Sequence, residues 1–159
     1  MRYAGIAKTS FVDGEGCRVV LFVTGCSHHC EGCHNEAYQD PEYGEETIME
    51  TLDRLCKLLR KPFVDGLTIS GGDPMYGPNR GEIRLICSFL KHEIEGLNIW
   101  MYTGYSFEEI EKDPVLEYLD VVVDGRYMKD LPPAPYRGSC NQRIWRKDRG
   151  IWRPTTTEL

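Results

Sequence analysis

The sequence predicts an α/β fold in which a parallel sheet and its crossover helices form a partial, open (β/α) barrel. Short apolar segments alternate with amphipathic segments four times along the 159 residues, and no segment closely repeats another. Each apolar segment ends in a polar or glycine-bearing turn. A complete eight-unit barrel needs about 200 residues or more, so this chain is too short to close one. We expect a single domain that covers residues 1–159.

Four segments are predicted strands because they are short, apolar and rich in β-branched or aromatic residues. They are Cys17–Gly25, Gly66–Ser70, Leu97–Gly104 and Leu119–Gly125. The turns TGC, SGGDP, TGY and DGR end these strands, and in parallel α/β folds ligands bind outside the carboxyl ends of strands. All four turns should therefore face one site. After the proline-rich segment LPPAPYRGSC, the segment NQRIWRK is predicted to be a last edge strand.

Apolar residues at helical spacing predict two helices between the strands. The two stripes are Ile48, Leu52, Leu55 and Leu59, and then Ile83, Cys87, Leu90 and Ile94. Pro62 should end the first helix. A shorter helix is predicted to begin in SFEEIEK, with Ser106 as its cap and Glu109 three residues further on.

The composition excludes several classes of function. The formal net charge is −6, whereas affinity for nucleic acid depends on clustered lysine and arginine, so no nucleic-acid partner is expected. The start MRYAGIAKTS lacks the apolar core of a secretory signal, and no apolar run approaches the length of a membrane span. We therefore expect a cytoplasmic protein with no membrane partner. Thiols stay reduced there, so clustered cysteines indicate metal binding or catalysis.

The stretch GCSHHCEGCHN contains three closely spaced cysteines, Cys26, Cys30 and Cys33. A closed zinc site takes four ligands, so His28 or His34 would have to complete it. Alternatively, three thiolates hold a four-iron cluster with one iron left open for a ligand that carries an amine and a carboxylate. The spacing leaves both alternatives open. Three other cysteines lie in apolar periodic segments, where burial is expected: Cys17, Cys56 and Cys87.

The cysteine motif and the SGGDP turn together resemble the motifs of the radical S-adenosylmethionine enzymes. Five stretches narrow the resemblance to the activating components of class III (anaerobic) ribonucleotide reductases. In order, they are SFVDGEGCRVVLFVTGCSHHCEGCHN, SGGDP, WMYTGYSFEE, VVVDGRY and RGSCNQRIW. Gly32 precedes the third cysteine, as in the C-x-G-C-x-N pattern of these proteins, where many other radical enzymes have an aromatic residue. Cys140 is a departure, because the family usually has serine there.

The resemblance implies two cofactors and a protein substrate. A 4Fe-4S cluster, reduced by a one-electron donor such as a flavodoxin, splits S-adenosyl-L-methionine into methionine and a 5′-deoxyadenosyl radical. That radical takes a hydrogen atom from the α-carbon of a glycine near the C-terminus of the reductase large subunit. The glycyl radical formed there powers ribonucleotide reduction, on either di- or triphosphates. The protein supplies position and excludes water and oxygen.

The same resemblance implies roles for individual residues. Cys26, Cys30 and Cys33 are the expected cluster ligands, and no separate catalytic side chain is expected. The residues expected to contact S-adenosyl-L-methionine are Gly32, Cys33, His34, Gly71, Gly72, Asp73, Thr103 and Asp124. Gly32 and His34 should do so through their backbone, and Gly71 and Gly72 let the main chain approach closely. Asp73 should offset the charge of an ammonium group.

Other residues near the motifs are given weaker or no roles. His28 and His29 are expected on the solvent side of the loop. Tyr105 is expected beside the cofactor with Thr103, and Arg126 beside it or the incoming glycine with Asp124. The signature residues Arg137, Asn141 and Gln142 have no role that the sequence reveals.

Two rival functions remain. One is a different radical enzyme, such as a formate-lyase activase or a 7-carboxy-7-deazaguanine synthase, against which the chain length and the RGSCNQR segment argue. The other is a zinc-binding module without catalytic activity.

Overall fold

The computed structural model describes residues 1–155, so the last four residues of the predicted domain lie outside the described part. It contains one sheet of eight strands. In chain order these are β1 (Arg2–Ser10), β2 (Arg18–Val23), β3 (Glu45–Glu46), β4 (Gly66–Gly71), β5 (Asn98–Tyr102), β6 (Val121–Asp124), β7 (Arg143–Asp148) and β8 (Ile151–Pro154). The α-helices are α1 (Met49–Leu59), α2 (Arg80–Glu93) and α3 (Phe107–Ile110). Short 3-10 helices cover Glu36–Gln39, Gly77–Asn79 and Pro114–Tyr118.

The four predicted strands form the parallel centre of the sheet. β2, β4, β5 and β6 lie side by side in chain order, and each neighbouring pair is parallel. α1 connects β2 to β4, α2 connects β4 to β5, and α3 with a 3-10 helix connects β5 to β6. Each connection returns the chain to the opposite end of the sheet, so the carboxyl ends of the four strands lie together.

The complete sheet is mixed, which corrects the prediction of a parallel sheet. β1 pairs antiparallel with β2 and β3, and β7 pairs antiparallel with β6 and β8. β7, the predicted edge strand, is covered by β8, so the open sheet has its edges at β3 and β8. Arg149 and Gly150 both have positive φ in the two-residue turn between β7 and β8, as tight hairpins require.

The largest hydrophobic cluster lies between the sheet and the helices. α1 and α2 contribute most of the predicted stripes, including Leu55, Leu59, Ile83 and Leu90, each at most 5% exposed. Ile48 was wrongly included, because it is the exposed N-cap that precedes α1. The predicted burial of three cysteines is confirmed for Cys17, Cys56 and Cys87. Burial raises the pKa of the Cys87 thiol to about 12, so this thiol stays neutral. Among residues 1–155, no helix combines the length and apolar character that a membrane crossing needs.

The predicted short helix is α3, and its capping box is confirmed. The Ser106 backbone N–H donates to Glu109 Oε2 at 2.8 Å, while the Ser106 side chain accepts from the backbone of Glu109. These two bonds satisfy donors that the first turn of a helix leaves free. They fix the segment that follows β5, which is one of the four turns at the carboxyl edge.

A buried arginine ties the strands together at the other end of the sheet. Arg18 is 1% exposed and donates to Thr68 Oγ1 at 2.8 Å, to the Leu67 carbonyl oxygen at 2.8 Å and to Asn98 Oδ1 at 2.9 Å. Burial lowers the pKa of its guanidinium to about 10. Because its donors are satisfied, the charge can remain buried. These bonds join the first residues of β2, β4 and β5, opposite the carboxyl edge.

Candidate functional site

An open cavity lies at the carboxyl edge of the four parallel strands. Its volume is about 780 Å³, including the space at its mouth. Every strand-end turn contributes to its wall: Cys26 after β2, Gly71–Asp73 after β4, Thr103 and Gly104 after β5, and Gly125 after β6. The prediction that all four turns face one site is therefore confirmed.

The cysteine loop, residues 25–35, forms one wall of this cavity. Cys26, Cys30 and Cys33 all line it, and all three are half-buried free thiols. Cys140 differs from them because it is exposed and does not line the cavity, although its neighbour Gln142 does. The structure thus brings together the three predicted ligands and leaves Cys140 outside the cavity.

The spacing of the sulfur atoms bears on the identity of the metal. A tetrahedral zinc ion with Zn–S bonds of about 2.3 Å holds its thiolates about 3.8 Å apart. Within residues 1–155, the set of three potential ligand atoms that lie within 4.8 Å of one another is Cys26, His28 and Asp73. The sulfur atoms of Cys26, Cys30 and Cys33 do not converge to that extent. The three cysteines are therefore not gathered around a single tetrahedral site in this structure.

The environment of Cys26 is suited to a bound cation. Burial raises the pKa of its thiol, and the backbone N–H of His28 opposes that rise. The charges of Asp73, Cys30 and Cys33 raise the pKa further. Three adjacent thiolates therefore repel one another unless positive charge lies among them, and metal binding supplies that charge. The residues present fit a metal cluster.

Hydrogen bonds hold the cysteine loop against the strand ends. The Gly25 N–H donates to the Tyr38 carbonyl oxygen at 2.8 Å, and the Cys33 N–H donates to the Cys30 carbonyl oxygen at 3.2 Å. The side-chain amide of Asn35 then donates to a main-chain oxygen of the glycine-rich turn at 3.3 Å. The loop and the turn after β4 are thereby joined directly.

The two glycines of the SGGDP turn are needed because main chain passes against them. Gly71 has a φ of 113°, which disfavours other residues. A Cβ atom on Gly72 would lie 2.5 Å from the Tyr38 carbonyl oxygen and 2.6 Å from that of Gly25. The close approach at Gly72 is therefore made by the cysteine loop and the segment that follows it.

The comparisons with known proteins agree with this site. Residues 12–145 match a family model described as a 4Fe-4S single cluster domain, and this span contains the cysteine loop and all four turns. The anaerobic ribonucleoside-triphosphate reductase-activating protein of Enterobacteria phage T4 is 46% identical over 154 residues, which cover 96% of this chain and 99% of that protein. The protein of the same name from Vibrio cholerae is 34% identical, and the match covers 92% of this chain and 98% of that protein. The one from Escherichia coli K12 is 32% identical, and the match covers 91% of this chain and 97% of that protein.

This chain belongs to the family of anaerobic ribonucleoside-triphosphate reductase-activating proteins. The family confirms the resemblance found in the motifs. Because its domain is a 4Fe-4S domain, it favours the cluster over the zinc alternative.

In this family member the Asp73 carboxylate connects three segments of the site. Asp73 is 1% exposed. Its Oδ1 atom accepts hydrogen bonds from Thr103 Oγ1 at 2.9 Å and from the Met75 N–H at 2.8 Å. Its Oδ2 atom accepts from the Gly104 N–H at 2.9 Å and lies 2.8 Å from His28 Nε2. Each carboxylate oxygen thus has two protein partners, which satisfies a buried charge.

The position of His28 corrects the prediction that it lies on the solvent side. Its side chain is 11% exposed and contacts Asp73, whereas His29 is exposed as predicted. The ring of Tyr105 packs edge-on against that of His28, with 4.5 Å between centroids. The sequence places the two histidines next to each other, and only the tertiary contacts distinguish them.

Asp124 does not line the cavity, although Gly125 does. Its buried carboxylate accepts hydrogen bonds from the Phe107 N–H at 2.6 Å and from Arg143 Nη2 at 2.6 Å. Arg143 also donates to Glu108 at 2.7 Å. Asp124 therefore holds the turn after β6 in place by joining it to α3 and β7.

Other predicted residues are found on the cavity and at its rim. Cys33 and His34 line the cavity, and the ring of His34 lies 4.8 Å from that of Tyr127. Gly32 is exposed beside them, with a φ of 73°. Tyr105 lines a neighbouring cleft rather than the cavity. Tyr127 was missed because nothing in VVVDGRY indicates which side chain turns toward the cysteine loop.

The signature RGSCNQR has a visible structural role. Gln142 Oε1 accepts from the Gly138 N–H at 2.8 Å, and Gln142 Nε2 donates to the Gly125 carbonyl oxygen at 2.9 Å. Asn141 Nδ2 donates to the Arg126 carbonyl oxygen at 2.9 Å. These side chains fold the β6–β7 connection against the turn after β6, which makes the connection part of the cavity wall.

Proposed function

We propose that this chain is the activating enzyme of an anaerobic ribonucleoside-triphosphate reductase and forms a glycyl radical on the large subunit of that reductase. The observation that carries the proposal is the position of Cys26, Cys30 and Cys33. Their thiols are free and line one cavity at the carboxyl edge of the parallel strands. The name of the relatives, which share up to 46% of aligned residues with this chain, supports the same function.

The cofactors in this proposal are a 4Fe-4S cluster and S-adenosyl-L-methionine. Cys26, Cys30 and Cys33 would hold the cluster. Once reduced, it would supply the one electron needed to cleave S-adenosyl-L-methionine reductively to methionine and the 5′-deoxyadenosyl group that would take the α-hydrogen of the target glycine. A one-electron donor such as a flavodoxin provides that electron. Three cysteine ligands would leave one iron of such a cluster free for the amine and carboxylate of the cofactor.

The protein's share of the reaction is to hold the cofactor in place. Gly32 and His34 offer main-chain groups beside the third cysteine. Gly71 and Gly72 offer carbonyl oxygens on the facing wall, because the Gly72 N–H already donates to the Val23 carbonyl oxygen at 2.8 Å. Asp73, Thr103 and Asp124 act differently in this proposal, since their polar atoms are already paired with protein groups. They hold the turns in fixed positions relative to one another, so that the cofactor binds against a preorganised cavity wall.

The fold supports the assignment to the radical S-adenosylmethionine enzymes. β2, β4, β5 and β6 follow one another in space in chain order, as the consecutive units of a partial (β/α) barrel do. The cavity mouth stays open, so in this proposal the reductase covers it while its glycine reaches in.

The experiment that tests this proposal uses protein purified and reconstituted without oxygen. We expect about four iron and four sulfide per chain, and equal amounts of methionine and 5′-deoxyadenosine after addition of dithionite and S-adenosyl-L-methionine. Cys30→Ala should abolish both results, and the matched Cys140→Ala variant should keep both. A colourless wild-type protein with one bound zinc, or an iron–sulfur protein that forms no 5′-deoxyadenosine, contradicts the proposal.

A further inference from the structure

His28 lies between the buried carboxylate of Asp73 and the sulfur atom of Cys26. Its Nε2 atom is 2.8 Å from Asp73 Oδ2. The ligand atoms of His28, Asp73 and Cys26 all lie within 4.8 Å of one another. Because the Asp73 oxygen is an acceptor, Nε2 carries the hydrogen of this contact. The imidazole is thus bonded to the most buried polar group of the site, next to a proposed cluster ligand.

Three other contacts hold the ring and the main chain of His28 in place. The Tyr105 ring packs against the imidazole with an interplanar angle of 71°. Gly104 leaves room for it, because a Cβ atom there would lie 2.6 Å from His28 Cδ2. The guanidinium of Arg126 donates to the His28 carbonyl oxygen at 2.6 Å. The ring is therefore held from the turns after β4 and β5, and the main chain from the turn after β6.

His28 is poorly placed to be a metal ligand itself. Coordination through Nε2 would break its contact with Asp73, and the Asp73 oxygens already accept from Thr103, Met75 and Gly104. His28 lies beside the Cys26 sulfur, since its ring nitrogen is within 4.8 Å of that atom. What it offers the cysteine loop is its backbone N–H, whose hydrogen bond to that sulfur opposes the rise in the thiol pKa. N–H groups that face the sulfur atoms of a cluster stabilise the extra negative charge of its reduced form.

We propose that His28 is a positioning residue that sets the reduction potential of the cluster, an inference that rests on the cluster of the proposed function. The imidazole anchors residue 28 on Asp73, and this anchor holds the backbone N–H of residue 28 against the Cys26 sulfur. The reduced cluster is thereby stabilised. Loss of the anchor lets the N–H move away and leaves the Asp73 charge with one partner fewer, and both changes disfavour reduction.

The test is a redox titration of the reconstituted holoprotein, followed by electron paramagnetic resonance of the reduced cluster. His28→Leu removes the anchor, and His28→Gln keeps a donor at the position of Nε2. His29→Leu is the matched control, because His29 is exposed in the same loop and its ring hydrogen-bonds to Gln39 Oε1 at 3.0 Å rather than to Asp73. Gly104→Ala provides an independent change, since it keeps every ligand and His28 but displaces the imidazole.

We expect His28→Leu and Gly104→Ala each to lower the ratio of reduced to oxidised cluster at a fixed potential about tenfold, the size expected for a hydrogen bond to a charged group. For one electron this equals a shift of ~59 mV toward more negative potential. His28→Gln should stay within about twofold of wild type, and His29→Leu should match wild type. The double variant Gly104→Ala/His28→Leu should shift no further than His28→Leu alone, because both changes act through one side chain.

Several results would overturn the inference. A wild-type potential in Gly104→Ala or His28→Leu removes it, and so does an equal shift in His29→Leu. If His28→Leu retains too little cluster for titration, the potential of Gly104→Ala decides the question. The two proposals fail separately: absence of a 4Fe-4S cluster in the wild type overturns both, whereas unchanged potentials in a wild type that cleaves S-adenosyl-L-methionine overturn this inference alone.

Discussion

The hydroxyl of Thr103 donates a 2.9 Å hydrogen bond to Oδ1 of the buried Asp73 carboxylate, and this bond joins the turns after β5 and β4. Thr103 Oγ1 also accepts from the Tyr105 N–H at 3.2 Å. One hydroxyl thus satisfies a buried charge and a main-chain donor. The walls of the cavity depend on such bonds between turns, since the cavity lies where separate strands end.

Replacement of Thr103 by valine should destabilise the chain. The shape is kept, but Asp73 loses a donor, so the free energy of unfolding should fall by about 1–3 kcal/mol. Urea denaturation of the variant and the wild type measures this difference. Thr9→Val, at an exposed position of β1, should change the value by no more than about 0.5 kcal/mol. Equal values for the two variants would show that the Thr103 hydroxyl does not support the site.

Gly72→Ala should damage the site through its packing. The new methyl group would overlap the carbonyl oxygens of Tyr38 and Gly25, so we expect a loss of about 1–3 kcal/mol in the free energy of unfolding and reduced iron uptake. Gly81→Ala is the control, because it lies in α2 with nothing within 4 Å of the added atom. That substitution should stabilise the chain by about 0.5–1 kcal/mol. Normal stability and iron content in Gly72→Ala would contradict the described contact.

Alanine substitutions should divide six of the cysteines into two groups. Without Cys26, Cys30 or Cys33 we expect no stable cluster, because the structure offers no fourth thiol at the cavity among residues 1–155. Iron and sulfide content should remain normal in Cys56→Ala, Cys87→Ala and Cys140→Ala, although the first two remove buried atoms and cost some stability. Iron and sulfide assays after anaerobic reconstitution check this division. Full iron content without any one of the first three cysteines would refute the ligand assignment.

The ion pair between Glu108 and Arg143 should be visible in the acid stability of the chain. Hydrogen bonds from Arg143 lower the pKa of Glu108 to about 2 from its ordinary value of 4.5. A lowered folded-state pKa stabilises the fold above the ordinary value, and this stabilisation is lost as the pH falls toward about 2. Glu108→Gln lacks it, so its urea midpoint should fall less than that of wild type over this range.

Glu111→Gln serves as the control for the acid titration. Glu111 is exposed on the same surface and forms no ion pair within residues 1–155, so this variant should follow the wild-type curve. Identical curves for wild type, Glu108→Gln and Glu111→Gln would indicate that the ion pair contributes nothing in solution.

The parallel centre of the sheet could be predicted because its strands and helices bury complete faces. Leu55 and Leu90 recur at helical spacing with other apolar residues, and the intervening strands are continuously apolar. β1 gave no such signal, since none of its residues is fully buried. Its place in the sheet depends on pairing with β2, which lies beyond the reach of local pattern.

The site could be predicted in part for a similar reason. Spacing in the sequence brings Cys26, Cys30 and Cys33 together, because all three lie in one short loop. The different positions of His28 and Asp124 could not be inferred in this way. Each is determined by residues at least 17 positions away, namely Asp73 for His28 and Arg143 and Phe107 for Asp124.

The formation of a glycyl radical on the partner tests the central claim most directly. The reconstituted chain, the large subunit of an anaerobic ribonucleoside-triphosphate reductase, S-adenosyl-L-methionine and a reductant are mixed without oxygen and followed by electron paramagnetic resonance. We predict a glycyl-radical signal that disappears when the C-terminal glycine of the partner is replaced by alanine, and also when this chain carries Cys30→Ala. No signal with the intact reductase, or an undiminished signal with the alanine variant of the partner, would contradict the account.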